Sequence, residues 1–167
     1  PWEDVNDFYV SNRATGGARE IVPYELTWIV DVMGYPKEVK GYFRKTTDIG
    51  CDIEDSYVCS LDYGNMLGSL LVDVVGRNAL RNLVINFETA QLQWRGDREQ
   101  LEIYETEKKK WKVVEIQEMI HEEGYNKIIN ENMYIDEIDA FLKGIEDSRL
   151  YPNTLEKDIE VLEILEM

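Results

Sequence analysis

Six residues near the start of this 167-residue chain have the types and spacing to do chemistry: Arg13, Gly16, Gly17, Arg19, Glu20 and Tyr24. Glu20 and Tyr24 stand four apart, so on a helix they share a face. There Tyr24 presents a hydroxyl, and Glu20 orients it or holds a sugar hydroxyl itself. The ordinary reading of the same pair is a first-turn glutamate favoured by the helix dipole and a core tyrosine. A tyrosine with a pKa near 10 is also a poor proton acceptor at neutral pH unless its site lowers it. Arg13 and Arg19 suit an acidic sugar or a phosphate, and equally suit pairing with Glu3, Asp4 or Asp7.

The remaining candidates are weaker. His121 is the one histidine and has no second imidazole or thiolate nearby, so it reads as a surface residue and not a metal ligand. Asp48, Cys51, Asp52, Glu54 and Asp55 crowd oxygens into one loop without the spacing of a calcium loop, which predicts a solvated loop. No nucleophile elbow, Walker loop or dinucleotide glycine fingerprint occurs. Cys51 and Cys59 form no CxxC pattern, and two cysteines cannot staple a chain of this size, so reduced thiols and a cytoplasmic setting are expected.

Eighteen Lys and Arg against 34 Asp and Glu give a net charge of −16. A field of that sign makes nucleic acid and anionic membrane surfaces poor partners. Half the excess lies in residues 130–167, where the acids alternate with apolar residues, as on a solvated helix face. The apolar runs fall far short of the roughly 20 residues that a membrane helix needs, and the first residues do not form a signal peptide. Because the first residue is Pro and not Met, a segment upstream is expected to have been removed.

These candidates must be positioned by a regular scaffold. A helix is expected over 20–33, its apolar residues Leu26, Trp28, Ile29, Val30, Val32 and Met33 leaving little polar surface, so that it should be mostly buried. Gly34 and Pro36 stop it. From 37 to 116 the pattern changes to Val, Ile, Tyr, Phe and Thr separated by Gly, Asn and Asp, which predicts strands over 38–46, 56–62, 66–75, 80–87, 99–106 and 110–116. A short turn at Tyr63, Gly64 and Asn65 makes its two strands antiparallel neighbours. Ile138, Phe141, Leu142 and Ile145 keep helical spacing and predict an amphipathic helix against the sheet. Asn153 with Glu156 resembles a capping box before a last helix striped by Leu155, Ile159, Leu162 and Leu165. The fold class expected is α+β: an open-faced, predominantly antiparallel sheet of about six strands, helices on one face, in a single domain over 1–167. The uncovered face asks for a second copy packed sheet to sheet.

The string NRATGGAREIVPYELTWIVDVMGYPKEVKGYF is similar to the start of the C-terminal domain of Gfo/Idh/MocA family NAD(P)-dependent oxidoreductases. The family's arginine, glycine-rich turn, acidic residue, helix stop and strand fall on Arg13, Gly16 with Gly17, Glu20, Gly34 with Pro36, and Val39. The acidic loop at Glu54 and Asp55, the hairpin at Gly64 and Gly68 and the bend over 77–83 fit the same pattern. So does the tail NMYIDEIDAFLKGIEDSRLYPNTLEKDIEVLEIL, which makes the resemblance nearly chain-long.

The resemblance implies a substrate-binding and dimerisation domain of a sugar or polyol dehydrogenase, forming a homodimer or tetramer through its open sheet face. It implies NAD or NADP held mainly by an N-terminal Rossmann half, whose Gly-rich loop and catalytic lysine are not in this sequence, so the chain alone is expected to bind no cofactor and transfer no hydride. Tyr24 stands where the family commonly has its active-site histidine. With Glu20 it would line the pocket as the catalytic pair, while Arg13, Arg19 and Tyr9 would bind substrate. The competing reading is a non-catalytic dimerisation or small-ligand module.

Overall fold

A computed structural model describes residues 11–96, 100–115 and 132–166. Its chain divides into two compact units, one made of residues 1–77 and 153–167, the other of residues 78–152.

In the first unit, helix α1 (Ala18–Met33) buries the i, i+4 stripe Ala18, Val22, Leu26 and Val30. The other side is exposed: Val32 keeps 65% and Tyr24 53% of its surface in water. This corrects the expectation of a mostly buried helix, because an apolar-rich helix end is covered only where a neighbour reaches it. The helix starts two residues before the expected Glu20, since the Ala18 amide donates to the Glu54 carbonyl at 2.8 Å, a partner far away in sequence.

Strands β1 (Glu38–Arg44), β2 (Ser56–Asp62) and β3 (Leu67–Asp73) form one antiparallel sheet in the order β1-β2-β3. Alternation sends Val39, Tyr57, Cys59, Leu61 and Val72 to the side where α1 and the last helix, α3 (Leu155–Glu166), complete one core. The opposite face carries the row Tyr42, Val58 and Leu71, which register side by side. Tyr42 and Leu71 are about 70% exposed there, as 71% and 69% respectively.

Helix α3 turns Val161, Ile164 and Leu165 inward, whereas Leu155, Ile159 and Leu162 of the expected stripe point to water. Its cap is also displaced by one residue: Thr154 Oγ1 accepts from the Lys157 amide, while Asn153 donates to Asp158. Three polar contacts tie α3 to α1 and the turn after it, namely Arg19 to Glu166, Lys157 to Asp31 and Tyr35 to Glu160.

In the second unit β4 (Asn82–Asn86), β5 (Ala90–Arg95), β6 (Gln100–Glu105) and β7 (Lys110–Val114) form a four-stranded antiparallel meander. The class is the antiparallel, open-sheet α+β expected, with seven strands in two sheets where one sheet of about six was read. The strand not foreseen is β5, whose Gln91 and Gln93 mask an alternation of Ala90, Leu92 and Trp94. Helix α2 (Asn132–Glu146) packs on a short 3₁₀ turn (Ser148–Leu150) and Tyr151. Its apolar stripe, expected against the sheet, is exposed, with Ile138 at 61% and Ile145 at 68%.

Candidate functional site

The start of α1 is locked to the loop between β1 and β2. Gly17 has φ +74° and lies so close to that loop that a Cβ on it would stand 2.3 Å from the Glu54 carbonyl oxygen. Only glycine adopts this backbone and tolerates this approach. Arg13 reaches the same loop through two nitrogens: Nη1 donates to Glu54 at 2.7 Å and Nη2 to Asp52 at 2.8 Å. The bond from Arg13 holds the Asp52 carboxyl below the usual carboxylate range, and Asp52 in turn raises the guanidinium.

Asp48 and Asp52 are exposed as a solvated loop requires, but Glu54 and Asp55 are not, which corrects the expectation there. Glu54 is 6% exposed and Asp55 fully buried. Each carboxylate oxygen of Asp55 accepts two bonds: Oδ1 from the amide and hydroxyl of Thr46, Oδ2 from the amide and hydroxyl of Thr47, all at 2.7 to 2.8 Å. Burial by itself pushes the Asp55 carboxyl up, but the bonds from Thr47 and Thr46 outweigh it and set the pKa at about 2. The main chain of Asp55 also bonds Arg44 and Val74, continuing both ladders of the first sheet. Asp55 is therefore the anchor that fixes the loop, and the loop fixes the entrance to α1. The sequence offered one signal for it, two threonines following a strand and facing an acidic run.

On this support Glu20 and Tyr24 occupy successive turns of α1, both exposed. One hydroxyl and one carboxylate so placed can hold and orient a ligand hydroxyl. Arg13 and Arg19 are each engaged with carboxylates of this chain: Arg13 with Asp52 and Glu54, Arg19 with Glu166. Tyr9 lies outside the described residues, as does His121. Among the described residues no group of three or more His, Cys, Asp or Glu could hold a metal ion, and no helix is long and apolar enough to cross a membrane. Both cysteines are free thiols, and burial pushes the Cys59 thiol up, away from reactivity.

All strand pairs described are antiparallel, so these residues build no parallel βαβ crevice for a dinucleotide. They form instead an antiparallel α+β fold. No family model and no curated protein matches the chain in sequence. Solved structures do match in fold. UDP-N-acetylglucosamine 3-dehydrogenase from Acidithiobacillus ferrooxidans superposes with a TM-score of 0.68 at 15% identity, covering 100% of this chain and 49% of its own. The oxidoreductase yvaA from Bacillus subtilis gives a TM-score of 0.71 at 17% identity, over 93% of this chain and 48% of its own. Biliverdin reductase from Synechocystis, solved with biliverdin and NADP+, gives 0.69 at 11% identity, over 95% and 48%. The chain thus has the fold of one half of Gfo/Idh/MocA-type oxidoreductases, as the resemblance in sequence implied, and spans about half the length of these proteins.

Proposed function

We propose that this chain is the C-terminal, substrate-binding and dimerisation half of an NAD(P)-dependent oxidoreductase acting on a sugar-like or polyol hydroxyl. The observation that carries this reading is a fold match over the whole chain to half of a dehydrogenase whose name specifies a sugar hydroxyl. The cofactor would be bound by an N-terminal Rossmann half and not by the residues described, so this chain's part is to bind and orient. Tyr24 and Glu20 hold the reacting hydroxyl from the exposed side of α1. Arg13 sets the α1 entrance through Asp52 and Glu54, which gives it a positioning role in place of direct substrate binding. Arg19 and Tyr9 remain candidates for the substrate's polar groups. A second copy covers the row Tyr42, Val58 and Leu71, and the setting is cytoplasmic.

Two measurements test the proposal. Native protein captured from its source cells with an antibody against this chain should have an intact mass about twice 19.6 kDa, allowing one further domain of typical size. A mass near 19.6 kDa overturns the reading and favours a stand-alone binding module. In the full-length enzyme, Tyr24→Phe and Glu20→Gln should each lower kcat/KM for a sugar or polyol substrate about tenfold, or about 1.4 kcal/mol, the scale of one hydrogen bond to a substrate hydroxyl. Unchanged turnover and affinity in both variants would remove these residues from the site.

A further inference from the structure

Two surface features of the second unit complement each other. On α2 the helical repeat gathers Tyr134, Ile138, Phe141, Leu142 and Ile145 into one stripe, and each of the five is at least 45% exposed. Glu137 flanks the stripe on one side, Asp139 and Glu146 on the other. Gly144 lets the ring of Tyr151 come up against the helix, since a Cβ there would already stand 3.1 Å from the Tyr151 Cβ. The result is an open groove of about 300 Å³ lined by Tyr134, Glu137, Ile138, Phe141 and Tyr151. Three aromatic rings and a carboxylate are the lining that receives an ammonium group, through attraction to the ring faces and a charge-assisted hydrogen bond. Glu137 makes no ion pair among the described residues.

The turn between β6 and β7 supplies the matching group. Lys108, Lys109, Lys110 and Lys112 fall within five positions of a chain whose acids outnumber its bases by 34 to 18. Lys108 is held by Glu105, whose charge Lys110 and Lys112 also feel without forming an ion pair, and Lys109 makes none among the described residues. Lys109 adopts φ +50°, and Trp111 and Val113 beside it are 42% and 52% exposed. Strand β7 is also the edge of its sheet, with no strand beyond it among the described residues.

We infer that the aromatic groove on α2 seats lysines of the β6–β7 hairpin of a second copy of this chain. The occupant is argued from complementarity: one copy carries cations next to exposed Trp111 and Val113, and the other an apolar stripe bordered by carboxylates. Nucleic acid is excluded as the hairpin's partner by the −16 charge around it. The contact uses none of the residues of the open face on the first unit, so it is independent of the dimer proposed above.

Intact protein of natural isotope content, mixed with an equal amount labelled with heavy nitrogen, tests this with a carbodiimide that joins lysine to carboxylate at zero length. The expected products are mixed-isotope peptides joining Glu137 to Lys109, Lys110 or Lys112, absent in Glu137→Gln. By ultracentrifugation Glu137→Lys should weaken this association about tenfold, and mixing it with Lys109→Glu/Lys110→Glu should restore it. Both sites are exposed, so these variants keep the fold. The cross-links should persist in Tyr42→Glu/Leu71→Glu, which breaks the open-face dimer. Absence of mixed-isotope links at Glu137, wild-type association in Glu137→Lys, or loss of the links in Tyr42→Glu/Leu71→Glu would each overturn the inference.

Discussion

Asp55→Asn should destabilise the first unit by about 3 kcal/mol, seen as a fall in melting temperature on the order of 15 °C for a unit of this size. The carboxylate accepts four bonds through two oxygens, from the amides and hydroxyls of Thr46 and Thr47. An asparagine amide keeps one acceptor and turns its NH2 onto the donors of one threonine, whose hydroxyl can rotate to accept from it but whose backbone amide is left facing a donor, at about 1 to 3 kcal/mol. The pH dependence has a definite sign. The folded carboxyl titrates at about 2 against 3.8 ordinarily, so its contribution is fully present above about pH 4 and is lost as the pH falls towards 2. That drop corresponds to about 2 kcal/mol. Urea unfolding of wild type and variant from neutral pH down to about pH 2 should show the gap narrowing only below about pH 4. A variant within about 1 kcal/mol of wild type at neutral pH would show that Asp55 does not anchor the loop.

The elements of this fold were legible where the signal was local. The turn at Tyr63 to Asn65 closes as read, with the Tyr63 amide on the Met66 carbonyl and Gly64 at φ +87°. The strand over 56–62 has the bounds its residue types implied. What failed depended on partners distant in sequence. Helix α3 contains two possible apolar stripes, and only contact with α1 selects Val161, Ile164 and Leu165 over Leu155, Ile159 and Leu162. Spacing fixes a helix but not the direction from which its neighbour comes.

The site divides in the same way. That Glu20 and Tyr24 share a helical face follows from a spacing of four, and both lie on the exposed side of α1. That Arg13 is spent on Asp52 and Glu54, some 40 positions away at separations of 39 and 41, could not be read from an arginine beside a glycine pair. Asp55 shows the converse. In sequence it is one acid among several, and burial with four donors makes it the most consequential carboxylate described. Composition marks an acidic run as solvated because most are, and a buried exception is identified only by the donors that surround it.

Gly17→Ala should cost about 3 kcal/mol or more and should also reach the site, because Gly17 joins the loop to α1. Two costs combine: a backbone at φ +74°, ψ −151° that residues with a Cβ avoid, and a Cβ that would meet the Glu54 carbonyl oxygen at 2.3 Å. Relief requires the loop and helix to separate, which breaks the bond from the Ala18 amide to that carbonyl and pulls Arg13 from Glu54. Gly34→Ala separates the two costs. It has φ +79°, yet nothing lies within 4 Å of its added Cβ, so it should lose only about 1 kcal/mol. Thermal unfolding of both variants measures the difference. If they lose equal stability, the close approach at Gly17 contributes nothing and conformational strain is the whole effect. If Gly17→Ala loses much more and Gly34→Ala little, the loop contact is what holds the first turn of α1, and with it Glu20 and Tyr24, in place.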